Sequence, residues 1–174
     1  MESIHLGKLF NLKIGVLPLA FGGTFLLWVA FSTIAYYVLG ISFGESVLLG
    51  FVAMLMHWVF ELVHSLGHAY AAYGTGYPMT GIIFGTLAIF ALTLYPNDEP
   101  ELPPSVHIRR ALGGPMVNGL LSIVFLVLLP VWNGDWFWLG VLALFENLFV
   151  YTLQVFLPLG FNDGSTILRN LRRL

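Results

Sequence analysis

Long apolar runs are the feature that most constrains how this chain can fold. A membrane-spanning helix needs about 20 predominantly apolar residues, and four runs reach that length, at residues 19–39, 47–73, 106–131 and 136–158. Because lipid offers the backbone no hydrogen-bond partner, each run must become a helix. Only 9% of the 174 residues are charged, against about 25% in soluble domains. The sequence therefore predicts an all-α integral membrane protein with about four transmembrane helices.

A shorter apolar stretch, residues 81–94, lies between the second and third spans. It is too short to cross a bilayer comfortably and is interrupted by Gly and Thr. We predict a β-hairpin or re-entrant segment packed against the helices, since a bare strand would leave backbone groups facing lipid. A short fifth helix is the alternative. No repeat or linker divides the chain, which predicts a single membrane-embedded domain over residues 1–174.

The positive charges indicate how the chain is oriented in the membrane. In a four-span protein they all lie on one side, at Lys8, Lys13, Arg109, Arg110, Arg169, Arg172 and Arg173. The loops on the other side contain Glu45 and Asp135 but no Lys or Arg. The positive-inside rule therefore predicts that both termini are cytoplasmic. No signal-peptide cleavage pattern is present, so we expect a retained N-terminus in a bacterial- or archaeal-type plasma membrane.

Two histidines near the cytoplasmic end of the second span are candidates for a metal site. His64 and His68 are four residues apart, which places both imidazoles on one helix face within reach of one ion. The topology brings Asp163, after the fourth span, to a similar depth. Two imidazoles and one carboxylate form a common catalytic zinc set, and the chain has no Cys that could ligate instead. The alternatives are buried structural hydrogen bonds for the histidines, and capping of the C-terminal helix for Asp163.

These residues resemble the motifs of the site-2 protease family of intramembrane zinc metalloproteases. His64 and His68 match the family's H-E-x-x-H motif, but Ser65 stands where that motif has Glu. Residues 113–118, GGPMVN, match its middle segment, and residues 158–164, PLGFNDG, match its last motif apart from the two residues before Asn-Asp. The resemblance runs from about the second span to the C-terminus.

The resemblance implies Zn²⁺ bound between helices by His64, His68 and Asp163, with a hairpin-like element that guides an extended substrate. It also implies that Pro115 and Asn118 lie near the substrate, although such an Asn more often joins two helices by hydrogen bonds. The family cleaves membrane-embedded peptide segments with a metal-activated water. The expected partners are the lipid bilayer and transmembrane segments of other proteins. A net charge of −2 gives no indication of nucleic acid.

The missing Glu bears directly on catalysis. Ser65 can position a water but does not accept its proton at neutral pH. Glu61 shares the helix face of the histidines and is the obvious substitute base. Its offset along the axis from the middle of the histidine pair, roughly 7.5 Å, argues against that role. Glu61 is better placed as an acceptor for His64 or in a polar network with His57.

The leading hypothesis is a degenerate site-2-protease-like protein that binds zinc and is catalytically impaired. One alternative is a non-catalytic binding protein or structural subunit of a membrane complex. A second is an active intramembrane metalloprotease with an unusual base, or one whose Glu was changed to Ser to trap it. A third is a pigment- or haem-binding subunit that uses the histidines, which would not need the Asp-Gly motif.

Overall fold

Four helices built from the apolar runs form most of the structure, a computed structural model that describes residues 3–174. They are α1 (Leu19–Tyr37), α2 (Phe43–Gly74), α3 (Pro104–Leu128) and α4 (Phe137–Phe145), the last continuing as a π-helix (Glu146–Thr152) and a 3₁₀ turn (Leu153–Phe156). With these extensions, all four are long and apolar enough to cross a membrane. A short helix, α5 (Asp163–Leu171), follows them. The structure thus supports an integral membrane protein.

A small sheet accompanies the helices, so the all-α description was incomplete. Its strands are β1 (Ile4–Leu9), β2 (Leu12–Val16), β3 (Gly81–Thr86) and β4 (Phe90–Leu94), in that spatial order. β1 and β2 form one antiparallel hairpin, β3 and β4 form another, and β2 joins β3 in parallel. The hairpin predicted at residues 81–94 is present as β3 and β4.

The N-terminal hairpin was not predicted, because its strand pattern is short and its turn is inconspicuous. Apolar and polar residues alternate over residues 4–6 and 12–14, but the strands have only six and five residues, which is a short pattern to recognise. Its turn is Phe10-Asn11, with positive φ at both residues and no Gly to announce it. The parallel pairing with β3 joins segments about 70 residues apart, which no local pattern reveals.

α2 and α3 cross at a backbone-to-backbone contact. A Cβ placed on Gly67 would lie 2.6 Å from the carbonyl oxygen of Gly113, so a larger residue would push the helices apart. Small residues at a crossing are how membrane helices approach closely. This crossing brings the second half of α2, with both candidate histidines, against the first turns of α3.

The loops divide between two ends of the bundle. Glu45 and Asp135, from the loops without positive charge, line one shared cavity. At the other end, Glu101 of the acidic loop after β4 pairs with Arg173 near the C-terminus at 2.9 Å. This division fits the four-span arrangement that the charge pattern predicts. The end that faces the cytoplasm stays a prediction.

Candidate metal centre

His64 and His68 of α2 and Asp163 of α5 meet at one point. The two Nε2 atoms are 3.0 Å apart, and the carboxylate oxygens of Asp163 lie 3.2 Å from His64 Nε2 and 3.4 Å from His68 Nε2. All three side chains are at least four-fifths buried. Ligands bound at 2.0–2.2 Å to a tetrahedral zinc are themselves about 3.3–3.6 Å apart. The three side chains are therefore spaced closely enough to hold one metal ion.

The hydrogen bonds on the far side of each ring indicate where the imidazole protons lie. His68 Nδ1 is 2.8 Å from the carbonyl oxygen of Arg110 and must donate to it. His64 Nδ1 is 3.1 Å from Asn118 Oδ1, while the Asn118 amide nitrogen donates to Asn147 at 2.7 Å. Two neutral rings protonated on Nδ1 turn Nε2 lone pairs toward each other and toward the carboxylate. Acceptors that converge in this way fit a cation, and this is the usual tautomer of a metal-binding His.

A glycine in α3 leaves room at the convergence point. A Cβ added to Gly114 would lie 2.6 Å from His64 Nε2 and 2.6 Å from His68 Nε2. Any side chain at this position would compete with an ion for the same volume. The three ligand atoms therefore face a space that is free for an ion, and the residues present fit a bound metal.

Asp163 faces the histidines and does not cap its own helix. The cap of α5 is Asn162, whose side-chain oxygen accepts a backbone N–H of the first turn at 3.2 Å. Gln154 donates to Asp163 Oδ2 at 3.1 Å. An ionised Asp163 is the form that binds a cation.

Ser65 and Glu61 differ in where they lie relative to the histidines. Ser65 is buried next to His64 in α2, with 2% of its surface exposed. Glu61 turns toward the hairpin, where its carboxylate accepts the backbone N–H of Ala91 at 2.9 Å. The acceptor for His64 is Asn118, so the first of the two supporting roles predicted for Glu61 is wrong. Its place is beside His57, in a separate polar cluster.

Arg110 was counted among the loop charges but is buried in α3, with 4% of its surface exposed. Its guanidinium pairs with Glu99, donates to the Tyr77 carbonyl and lies 4.2 Å from the centre of the Tyr95 ring. The hydrogen bond from Arg110 holds the pKa of the Glu99 carboxyl below its usual value. Because the Arg110 carbonyl also binds His68, this residue connects the acidic loop to the candidate metal centre.

Sequence reasoning assigned no site role to Arg110, Asn147 or Gln154. Arg110 contacts His68 from a distant part of the chain, Asn147 acts through Asn118, and Gln154 contacts Asp163 across nine residues. The one local signal was a polar side chain in or beside an apolar run. Asn118 is fully buried, with both ends of its amide engaged. The Pro115 carbonyl accepts from Thr152 at 3.3 Å. Substrate contact by either Pro115 or Asn118 stays a prediction.

Comparisons with known proteins bear on the fold. Neither the protein-family models nor the curated proteins include a match to this chain. Among solved structures, the chain is similar to the site-2 protease from Methanocaldococcus jannaschii, with a TM-score of 0.64 and 21% sequence identity. The similarity covers 98% of this chain and 72% of that protein. At this level of identity, the likeness shows a shared fold.

Proposed function

We propose that this chain is a zinc-binding membrane protein of the site-2 protease type whose peptidase activity is impaired by Ser65. The observation that carries the proposal is the convergence of His64 Nε2, His68 Nε2 and the Asp163 carboxylate with the ring protons on the opposite nitrogens. The shared fold with a site-2 protease supports it independently. The substrate class that follows is a membrane-embedded peptide segment.

Some residues of the centre would bind the metal, and others orient those ligands. His64 and His68 provide neutral nitrogen ligands, and Asp163 provides an anionic oxygen, which leaves a fourth tetrahedral position open. Asn118 and the Arg110 carbonyl keep the rings turned with Nε2 inward. A bound zinc would supply a Lewis acid that polarises a peptide carbonyl and acidifies a water molecule.

The centre lacks a residue that can carry out the proton transfer of peptide hydrolysis. Peptide hydrolysis needs a group that takes a proton from the attacking water and passes it to the leaving amine. The Ser65 hydroxyl stays protonated at neutral pH and does not replace a carboxylate. Glu61 is committed to the Ala91 N–H on the hairpin side of α2. Loss of general acid–base help costs about 10²–10⁴ in rate, so we expect little or no peptidase activity.

Metal analysis of the purified, lipid-reconstituted protein tests the proposal. We expect one zinc per chain, lost in His64→Gln, His68→Gln and Asp163→Asn. The matched control is His5→Gln, because His5 lies exposed in β1, away from the centre. Absence of zinc after loading would overturn the proposal and favour a non-catalytic structural subunit. Zinc that survives Asp163→Asn would remove Asp163 from the ligand set.

A further inference from the structure

A second polar cluster lies within the helical bundle, separate from the candidate metal centre. His57 precedes His64 by two turns of α2, roughly 10 Å along the helix axis. His57, Glu61 and Glu146 are each exposed over 5% of their surface or less. Ionisable groups buried in a membrane-spanning helix are costly unless they have partners. The partners of these side chains therefore indicate which of their atoms carry protons.

His57 has an oxygen acceptor at each ring nitrogen. Its Nε2 is 2.8 Å from the carbonyl oxygen of Ile89, and its Nδ1 is 3.1 Å from Glu146 Oε1. A carbonyl oxygen only accepts, so Nε2 carries a proton. An unprotonated Nδ1 and a carboxylate oxygen would face each other with lone pairs, so a second proton lies between them. The pair thus holds one proton more than a neutral imidazole and a carboxylate.

Two other titratable groups face this pair. The Tyr151 hydroxyl, from the π-helix, is 3.3 Å from His57 Nδ1, and it also forms a hydrogen bond with Glu61. A carboxylate only accepts, so the hydroxyl proton is directed to Glu61 and not to Nδ1. Glu61, one turn along α2, accepts a backbone N–H of the hairpin. The hairpin offers only backbone groups here, α1 contains no acidic, basic or His residue, and α3 carries its charged residues in its first two turns. No other charged group from these elements replaces the shared proton.

We propose that His57 and Glu146 form a proton-binding site inside the bundle, with one H⁺ shared between Nδ1 and Oε1. Whether the proton rests on the imidazole or on the carboxyl, the pair has no net charge, which suits a medium of low dielectric constant. The second oxygen of Glu146 is buried and has no hydrogen-bond partner, so little else offsets its negative charge. Glu146 also begins the π-helix, a type of irregularity that frequently marks functional sites.

The shared proton couples this site to the contact between α2 and the hairpin formed by β3 and β4. Ile89 lies in the turn between β3 and β4. With both ring nitrogens protonated, His57 holds Glu146 and the Ile89 carbonyl at once. After loss of one proton, a single N–H faces two acceptors and one of the bonds is lost. Proton binding therefore keeps the hairpin turn on α2, next to the second anchor that Glu61 makes at Ala91.

Nitrogen-15 NMR of histidine-labelled protein in nanodiscs tests for the proton. The chain has five His, and signals that change in Glu146→Gln or disappear in His57→Phe identify His57. At pH 7.5, about one unit above the ordinary His pKa, we expect both ring nitrogens to be protonated, or one to accept from a carboxylic acid whose infrared band is absent in Glu146→Gln. A bare Nδ1 with no carboxylic-acid band overturns the proposal.

Hydrogen exchange over residues 87–94 tests the coupling. After correction for intrinsic rates, exchange in the unmodified protein should increase when the pH is raised until His57 loses its proton. Glu146→Gln should abolish that increase, because a Gln amide donates to Nδ1 without a shared proton. Ser122→Ala is the matched control, because Ser122 is buried but bonds within its own helix. Hairpin exchange that stays constant while His57 deprotonates would overturn the coupling. Zinc content of the same samples distinguishes these outcomes from a failure of the metal centre.

Discussion

Gly114 leaves space in the candidate metal centre because it has no Cβ. We expect Gly114→Ala to weaken zinc binding at least tenfold, because the new Cβ would lie 2.6 Å from both Nε2 atoms. Gly119→Ala in the same helix is the matched control, since its Cβ would meet Thr152 at an ordinary 3.4 Å. Zinc titration of both variants measures the difference. Equal affinity in the two would place the ion elsewhere.

In the proposed function, Ser65 is the residue that limits catalysis. If the rest of the centre is intact, Ser65→Glu should restore the missing proton acceptor and raise cleavage of a model transmembrane peptide by about 10²–10⁴-fold. Ser65→Gln is the matched control, because it has similar bulk but takes no proton. Zinc content should be similar in both variants.

Two results would change this view of Ser65. Robust activity in the unmodified protein that disappears in Glu61→Gln would make Glu61 the base, against its contact with Ala91. Zinc binding with no activity in either the unmodified protein or Ser65→Glu would favour a binding protein or scaffold that keeps the metal site.

At the scale of elements, the acidic loop is held to α3 by an ion pair in which Arg110 is buried and Glu99 is partly exposed. Glu99→Gln leaves the buried Arg110 guanidinium without its counter-ion, which should cost about 1–3 kcal/mol because solvent reaches the Glu99 side of the pair. Glu101→Gln is the matched control, since its pair with Arg173 is exposed and should contribute about 0–1 kcal/mol. Melting temperatures of the two variants measure the difference. Equal melting temperatures would show that the Glu99 pair contributes no more than an exposed one.

The same pair predicts a pH dependence of stability. The pKa of Glu99 is lowered in the folded protein by the Arg110 hydrogen bond. Its contribution is therefore present above the ordinary carboxyl pKa of about 4.3 and is lost as the pH falls through the lower, folded-state value. We expect the unmodified protein to lose more thermal stability than Glu99→Gln between about pH 5 and pH 3. Parallel curves would contradict this assignment.

The fourth span shows how side chains change an element that the hydropathy pattern predicts as regular. The Asn147 amide donates to the Ala143 carbonyl at 2.7 Å, and the Thr152 hydroxyl donates to the Asn147 carbonyl at 2.6 Å. Such bonds compete with the backbone ladder, and they coincide with the π-helix at Glu146–Thr152. The irregular segment carries Glu146 and Tyr151 to His57. A hydropathy window registers only that the segment is apolar.

For the whole molecule, the charge pattern predicts the orientation in the membrane. Reporter fusions at Glu45 and Asp135 should be external, and fusions at the C-terminus should be cytoplasmic, because Lys and Arg are retained on the cytoplasmic side. The shared cavity of Glu45 and Asp135 requires the two to report the same side. A cytoplasmic signal at both would invert the protein. Opposite signals would contradict the four-span arrangement.

The features that depend on local chemistry could be predicted from the sequence. Helix length follows from the cost of unpaired backbone groups in lipid, and a spacing of four residues puts His64 and His68 on one face. Together with the charge pattern, this was enough to predict the spans and a similar depth for the histidines and Asp163. The choice of Asp163 as a ligand depended on the resemblance to the site-2 protease motifs. These predictions required no knowledge of which helices contact each other.

The contacts that hold those residues in place depend on tertiary packing. The choice of Asn118 over Glu61 as the partner of His64 depends on which helix faces which, set by the close approach at Gly67 and Gly113. The N-terminal hairpin depends on pairing with β3 across two helices. The proton between His57 and Glu146 joins residues 89 positions apart. Such contacts form only when the whole chain packs, because their energy comes from burial and geometry that no local pattern contains.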